Sequence, residues 1–89
     1  MIPKKELLNL KEGERIVLVD PNEDARIDCK VLSVNKYSMD KVLAYEYHIN
    51  KSELLEDQDV TCEIEESDIE ENGNVKGVDA DYKFHFERN

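Results

Sequence analysis

The sequence predicts a mainly β fold: a small five-stranded antiparallel barrel or strongly bent sheet, built as one β-rich domain over residues 1–89. Three observations carry that expectation. Five short stretches alternate apolar and polar residues or concentrate β-branched and aromatic ones, the pattern of half-buried or buried strands. Turn-forming Pro, Gly, Asn and Asp separate them at short intervals, which favours a meander of neighbouring strands. A chain of 89 residues has room for one small core only, because a domain near this size buries only about 60% of its unfolded surface.

Taken in order, the chain opens with Pro3, which suits the first turn of a helix because its missing N–H has no intrahelical partner there. Leu7, Leu8 and Leu10 follow, and Gly13 closes the segment, so a short helical turn is expected at residues 3–10. Arg15-Ile16-Val17-Leu18-Val19 is apolar on both parities, as in a strand covered on both faces. Asp20-Pro21-Asn22-Glu23-Asp24 then forms a turn. In the second strand Ile27, Cys29 and Val31 share a face before the apolar parity moves to Leu32 and Val34, which implies a β-bulge or a bend.

A loop at residues 36–40 leads to the third strand, with Leu43, Tyr45, Tyr47 and Ile49 inward and Val42, Ala44, Glu46 and His48 outward. Asn50-Lys51-Ser52-Glu53 has the form of a capping box, so a second helical turn is expected at residues 51–57. Val60, Cys62 and Ile64 alternate with Thr61, Glu63 and Glu65. Asn72-Gly73 predicts a type I′ hairpin turn, which needs φ > 0 at both central residues. The last strand sets Val78, Ala80, Tyr82, Phe84 and Phe86 against Asp79, Asp81, Lys83, His85 and Glu87, so residues 59–87 read as an acidic C-terminal hairpin. Its final strand exposes a hydrogen-bonding edge unless it pairs with the first strand, with Lys83 and Glu87 as edge protection. The run Leu10-Lys11-Glu12-Gly13-Glu14-Arg15-Ile16-Val17 resembles the opening of many SH3-like and OB-like barrels, a likeness that unrelated folds share and that implies no family.

Hydrophobic residues at 39% and charged ones at 38% leave enough apolar side chains for a compact core, so disorder throughout is not expected. The net charge of −10 is segregated. Residues 52–81 hold twelve acids against the single base Lys76, a net −11, while the rest of the chain holds ten acids and eleven bases, a net +1. Charge so localised repels phosphate and anionic lipid and attracts basic protein surfaces. Direct nucleic-acid binding and membrane binding are therefore not expected. The first residues lack the apolar stretch of a signal peptide, and with two cysteines there is no disulfide framework, so a cytoplasmic protein with reduced thiols is expected.

Several motifs imitate chemistry. Asp68, Glu70, Asn72, Gly73, Val75 and Asp79 fall at positions similar to those of an EF-hand calcium loop. Glu70 is too long for its place, Lys76 puts a cation where a ligand belongs, Asp79 is shorter than the usual bidentate Glu, and the flanks read as strands. An acidic hairpin tip is the simpler expectation. Cys29, His48, Cys62 and His85 are zinc-ligand types, but none of their spacings suits a structural site and strand parity puts the thiols inward and the imidazoles outward. The same parity argues against a Cys-His nucleophile pair. Ser33, Ser38, Ser52 and Ser67 lack a nucleophile-elbow context, and three glycines cannot build a phosphate-cradling loop. The aromatic residues sit mostly on inward parities as core, Tyr37 beside Lys36 and Lys41 excepted.

The function expected from these readings is non-enzymatic, with no metal and no cofactor. A monomeric protein-interaction module presents Glu63, Glu65, Glu66, Asp68, Glu70, Glu71, Asp79 and Asp81 to a basic protein surface. A second expectation is an accessory inhibitor of phage or mobile-element type that imitates nucleic acid, since alternate strand residues lie roughly 6.5–7 Å apart, near the spacing of backbone phosphates. A small-molecule or calcium-binding barrel ranks below both, because a barrel this small is filled by its own side chains.

Overall fold

The structure, a computed structural model, describes residues 1–35, 41–77 and 82–89. Helix α1 (Lys4–Leu7) is followed by β1 (Arg15–Asp20), β2 (Ala25–Val34), β3 (Lys41–Ile49) and β4 (Gln58–Glu65). A 3-10 turn (Glu66–Asp68) then leads to β5 (Val75–Lys76) and β6 (Lys83–Arg88). Among the described residues these six strands form one sheet, ordered β4-β3-β2-β1-β6-β5, curled into a half-barrel. The mainly β fold is as the sequence predicts. The sixth strand is β5, a two-residue piece of the segment expected to be one hairpin limb.

Strand β1 lies at the centre, paired antiparallel with β2 from Arg15↔Lys30 to Asp20↔Ala25 and with β6 from Ile16↔Arg88 to Val19↔His85. Its continuous apolar run follows from that position, since Ile16, Val17 and Leu18 are all buried. The parity switch in β2 is a bulge: Val31 pairs with Tyr45 and Ser33 with Ala44, leaving Leu32 as the extra residue. A second irregularity lies between Lys41 and Leu43 in β3, so the clean outward set expected there is broken. Val42 joins the core, and Ala44, between Ser33 and Glu63, is small enough to be covered by its neighbours.

The core fills the concave side. Phe86, fully buried, meets Tyr45 edge-on with ring centroids 5.1 Å apart and Phe84 at 5.8 Å. Such pairs add to the apolar area they bury. One end is plugged by the N-terminus through Ile2, Leu7 and Leu10, all buried. The Ile2 N–H donates to the Phe86 carbonyl at 2.7 Å and the Lys4 N–H to the Glu71 carbonyl at 3.2 Å, so this plug is stitched to β6 and to the turn before β5.

The expected helical turn at residues 51–57 does not form. Ser52 Oγ accepts the N–H groups of Leu55 (3.2 Å) and Leu54 (3.4 Å), which are N-cap bonds, yet residues 50–59 are exposed throughout. With no apolar face to bury, nothing offsets the cost of nucleating a helix. The turn at Asn72-Gly73 is also of another type. Gly73 has φ of +105° and Asn72 is not positive; the Gly73 N–H donates to the Glu70 carbonyl at 2.9 Å and the Glu70 N–H to the Asn74 carbonyl at 2.8 Å. That is a three-residue loop closed by a bulged glycine, and glycine is required because a Cβ at Gly73 would lie 2.0 Å from the Ile2 carbonyl oxygen.

Candidate interaction surface

The limbs of the expected 59–87 hairpin do not pair. Strand β4 pairs with β3 and ends the sheet, while β6 sits between β1 and β5. The final strand is therefore interior, and the outer strands are β4 and the two-residue β5, whose Val75 bridges to Ile69. Curling brings the two ends of the sheet toward one another across a groove of about 250 Å³ lined by Glu63, Ile64 and Asp68 on one side and Val75, Lys76 and Gly77 on the other.

Folding divides the eight sequence-predicted acids. Glu65 meets Lys41 at 3.2 Å, Glu70 meets Lys83 at 2.6 Å, and Glu66 and Glu71 flank Lys4 at 3.8 and 3.9 Å. All three lysines come from outside the acidic stretch, so part of the charge segregation seen along the chain is cancelled in space. Exposed pairs of this kind stabilise by only about 0–1 kcal/mol each, but they shorten the reach of the negative field. Glu63 and Asp68 bridge to no cation among the described residues. Asp79 and Asp81 lie outside the described residues, as does Tyr37.

Sequence reasoning missed the loop before β4. Glu53, Glu56 and Asp57 are exposed there and Asp59 at the start of β4, and Asp57 and Asp59 reach His48 at 3.9 and 2.9 Å. The Asp57 carboxylate also accepts the Lys51 N–H. In the same loop Leu54 is 93% exposed and Leu55 48%, large apolar side chains left in water. The only signal for this in sequence was the shortage of other apolar residues around Leu54-Leu55.

The Cys29 thiol is buried, donates to the Ile27 carbonyl at 3.4 Å, and is pushed up to about 11 by burial, which makes it a poor nucleophile. His48 and His85 hydrogen-bond Asp59 and Glu87 at 2.9 and 3.0 Å. Among the described residues no group of three or more His, Cys, Asp or Glu is placed to hold a metal ion, and the calcium-like loop is preceded by β4 and a 3-10 turn where an EF-hand has a helix, its last position Asp79 lying outside the described residues. No helix among them is long and apolar enough to cross a membrane.

One buried polar pair is structural. Asp20, only 6% exposed, accepts the N–H groups of Asn22 (3.0 Å) and Glu23 (3.4 Å) and the Tyr82 hydroxyl, which ties the β1–β2 turn to the start of β6. The Tyr82 hydrogen bond holds the Asp20 carboxyl below its usual range, and the same bond pushes Tyr82 up to about 12. Comparison with protein-family models, with curated proteins and with solved structures finds no match to this chain.

Proposed function

We propose that the protein is a non-enzymatic, cytoplasmic and monomeric interaction module that binds a basic protein surface through the carboxylates of β4 and the loop preceding it. One observation carries the reading. Within the acidic stretch 52–81, the exposed acids that bridge to no lysine among the described residues are Glu53, Glu56 and Glu63, with Asp57 and Asp59 between them beside His48, so they occupy one continuous run. Glu65, Glu66, Glu70 and Glu71 are already engaged by lysine. An interface of this kind gains on-rate and selectivity from its charge and weakens as salt screens it.

The test is affinity purification from cells at low and high salt with two charge-neutralised variants. Basic proteins retained by the wild type at low salt are expected to be released at high salt, to be lost with Glu53→Gln/Glu56→Gln/Glu63→Gln, and to persist with Glu66→Gln/Glu70→Gln/Glu71→Gln. Partners held equally at high salt, or unaffected by the first variant, would overturn the proposal. Competition by duplex DNA for the same partner would favour a nucleic-acid mimic instead. That reading has less support, because the outward row of β4 reads Asp59, Thr61, Glu63, Glu65, with Thr61 interrupting it and Glu65 bridged to Lys41.

A further inference from the structure

We infer that β4 receives its partner as an added strand, an extended segment in which basic and apolar residues alternate. The inference rests on the acidic-surface reading and adds a binding mode to it. Strand β4 pairs only with β3, and its backbone groups make no hydrogen bond to any other described residue. It is eight residues long and contains no Pro or Lys, the residues that commonly blunt an exposed edge. Beyond Ile64 the chain turns through the 3-10 segment and Ile69 bridges to Val75, so the open part of the edge is residues 58–62.

The two faces of that edge differ in chemistry, and this determines what can lie beside it. On the outer face stand Asp59, Thr61 and Glu63, all exposed. On the inner face stand Val60 and Cys62, half-buried, opposite Tyr47 and Tyr45. Side chains directly across from one another on adjacent strands sit about 4.5–5.5 Å apart. An incoming strand therefore sets alternate residues beside the carboxylates and the others beside Val60 and Cys62, extending the apolar concave face. Cations suit the first set and aliphatic side chains the second. Exposed Leu54 and Leu55, just before the strand, offer further apolar cover. A second copy of this chain is a poor occupant, because antiparallel β4 strands would bring Asp59 and Glu63 of each copy against like charges.

The probes are three acetylated, amidated peptides of equal charge: Lys-Val-Lys-Val-Lys-Val-Lys, the block peptide Lys-Lys-Lys-Lys-Val-Val-Val, and the alternating peptide N-methylated at every residue, which removes the donors of both edges. Binding is followed by fluorescence anisotropy, and amide hydrogen exchange reports on β4. The alternating peptide is expected to bind about tenfold tighter than either control and to slow exchange within residues 58–62. The variant Asp59→Lys/Glu63→Lys, both positions being exposed, is expected to keep the circular dichroism of the wild type and to prefer Glu-Val-Glu-Val-Glu-Val-Glu. Equal binding of all three basic peptides without protection of β4 overturns the added strand and leaves the acidic surface standing. Binding of none of them, together with no effect of Glu53→Gln/Glu56→Gln/Glu63→Gln on partner capture, overturns both. Protection of β4 without peptide in a sedimenting dimer assigns the edge to a second copy and also overturns the inference.

Discussion

The acidic stretch passes through two regions that share a composition and end in opposite states. At the closed end, the turn between the 3-10 segment and β5 lies under the N-terminus: Gly73 faces the Ile2 carbonyl, Lys4 sits between Glu66 and Glu71, and Lys83 binds Glu70. At the open end, residues 50–59 are exposed throughout and β4 shows a free edge. Acid content is similar in both, so charge did not decide which region is built into the fold. Apolar anchors did. Ile69 and Val75 are buried at the closed end, whereas Leu54 is almost fully exposed and Leu55 about half exposed at the open one.

The largest break in that contrast should come from Gly73→Ala. Its Cβ would collide with the Ile2 backbone at a position with φ of +105°, and neither side can yield without loosening the N-terminal plug. A loss of about 3 kcal/mol or more is expected. Gly13→Ala is the control: its φ of +86° is strained but nothing lies within 4 Å of the new Cβ, so about 1 kcal/mol is expected. Urea unfolding of both variants measures the difference, and equal losses would mean that the Ile2 contact contributes nothing.

Thiol labelling sharpens the same contrast on a smaller scale. Cys29 is fully buried in interior strand β2, whereas Cys62 is half-buried on edge strand β4. In native protein Cys62 should react with a disulfide reagent at least about 100-fold faster than Cys29, because local opening at an edge is easier than opening of the core. Single Cys→Ser variants assign the two phases. If the phases merge, β4 is as well protected as the centre of the sheet.

A smaller effect follows from Asp20 and Tyr82. Tyr82 is raised in the folded state from about 10 to about 12, so it favours folding fully below pH 10 and loses that contribution as pH rises toward 12. Asp20 is lowered, so its contribution is present above the ordinary carboxylate range and lost as pH falls through the folded value. Tyr82→Phe should therefore have a lower Tm than the wild type at neutral pH, with the gap narrowing both above pH 10 and in strong acid. A gap independent of pH would assign the loss to packing.

Much of the fold was legible in residues. The two-sided apolar run of β1 announced a strand covered on both faces, the parity switch at Val31-Leu32 announced the bulge, and Pro3 with Leu7 and Leu10 announced the short N-terminal helical turn. These features depend on local periodicity, which the chain carries in its own spacing. The capping box at residues 50–53 misled because a cap lowers the cost of starting a helix without supplying the burial that sustains one. The turn type at Asn72-Gly73 misled because a glycine serves either turn, and the approach of Ile2 is long-range information.

The candidate surface was legible only in part. Acids can be counted along the chain, and residues 52–81 do carry the excess. Which of them remain without a cation depends on lysines brought from residues 4, 41 and 83, and such distant contacts leave no local periodicity to read.

By itself the sequence determined the strand-rich class, the parity switch in β2 and the total charge, since each follows from side-chain order over a few residues. Tertiary structure alone decided that β6 closes on β1 while β4 stays open, and that four of the eight candidate acids are bridged to lysine. The reason is physical. Strand order is selected by the total burial that each arrangement achieves, and here pairing β6 with β1 places Phe86 at the centre of the core and leaves β4, with Ile64 its one buried residue, at the rim.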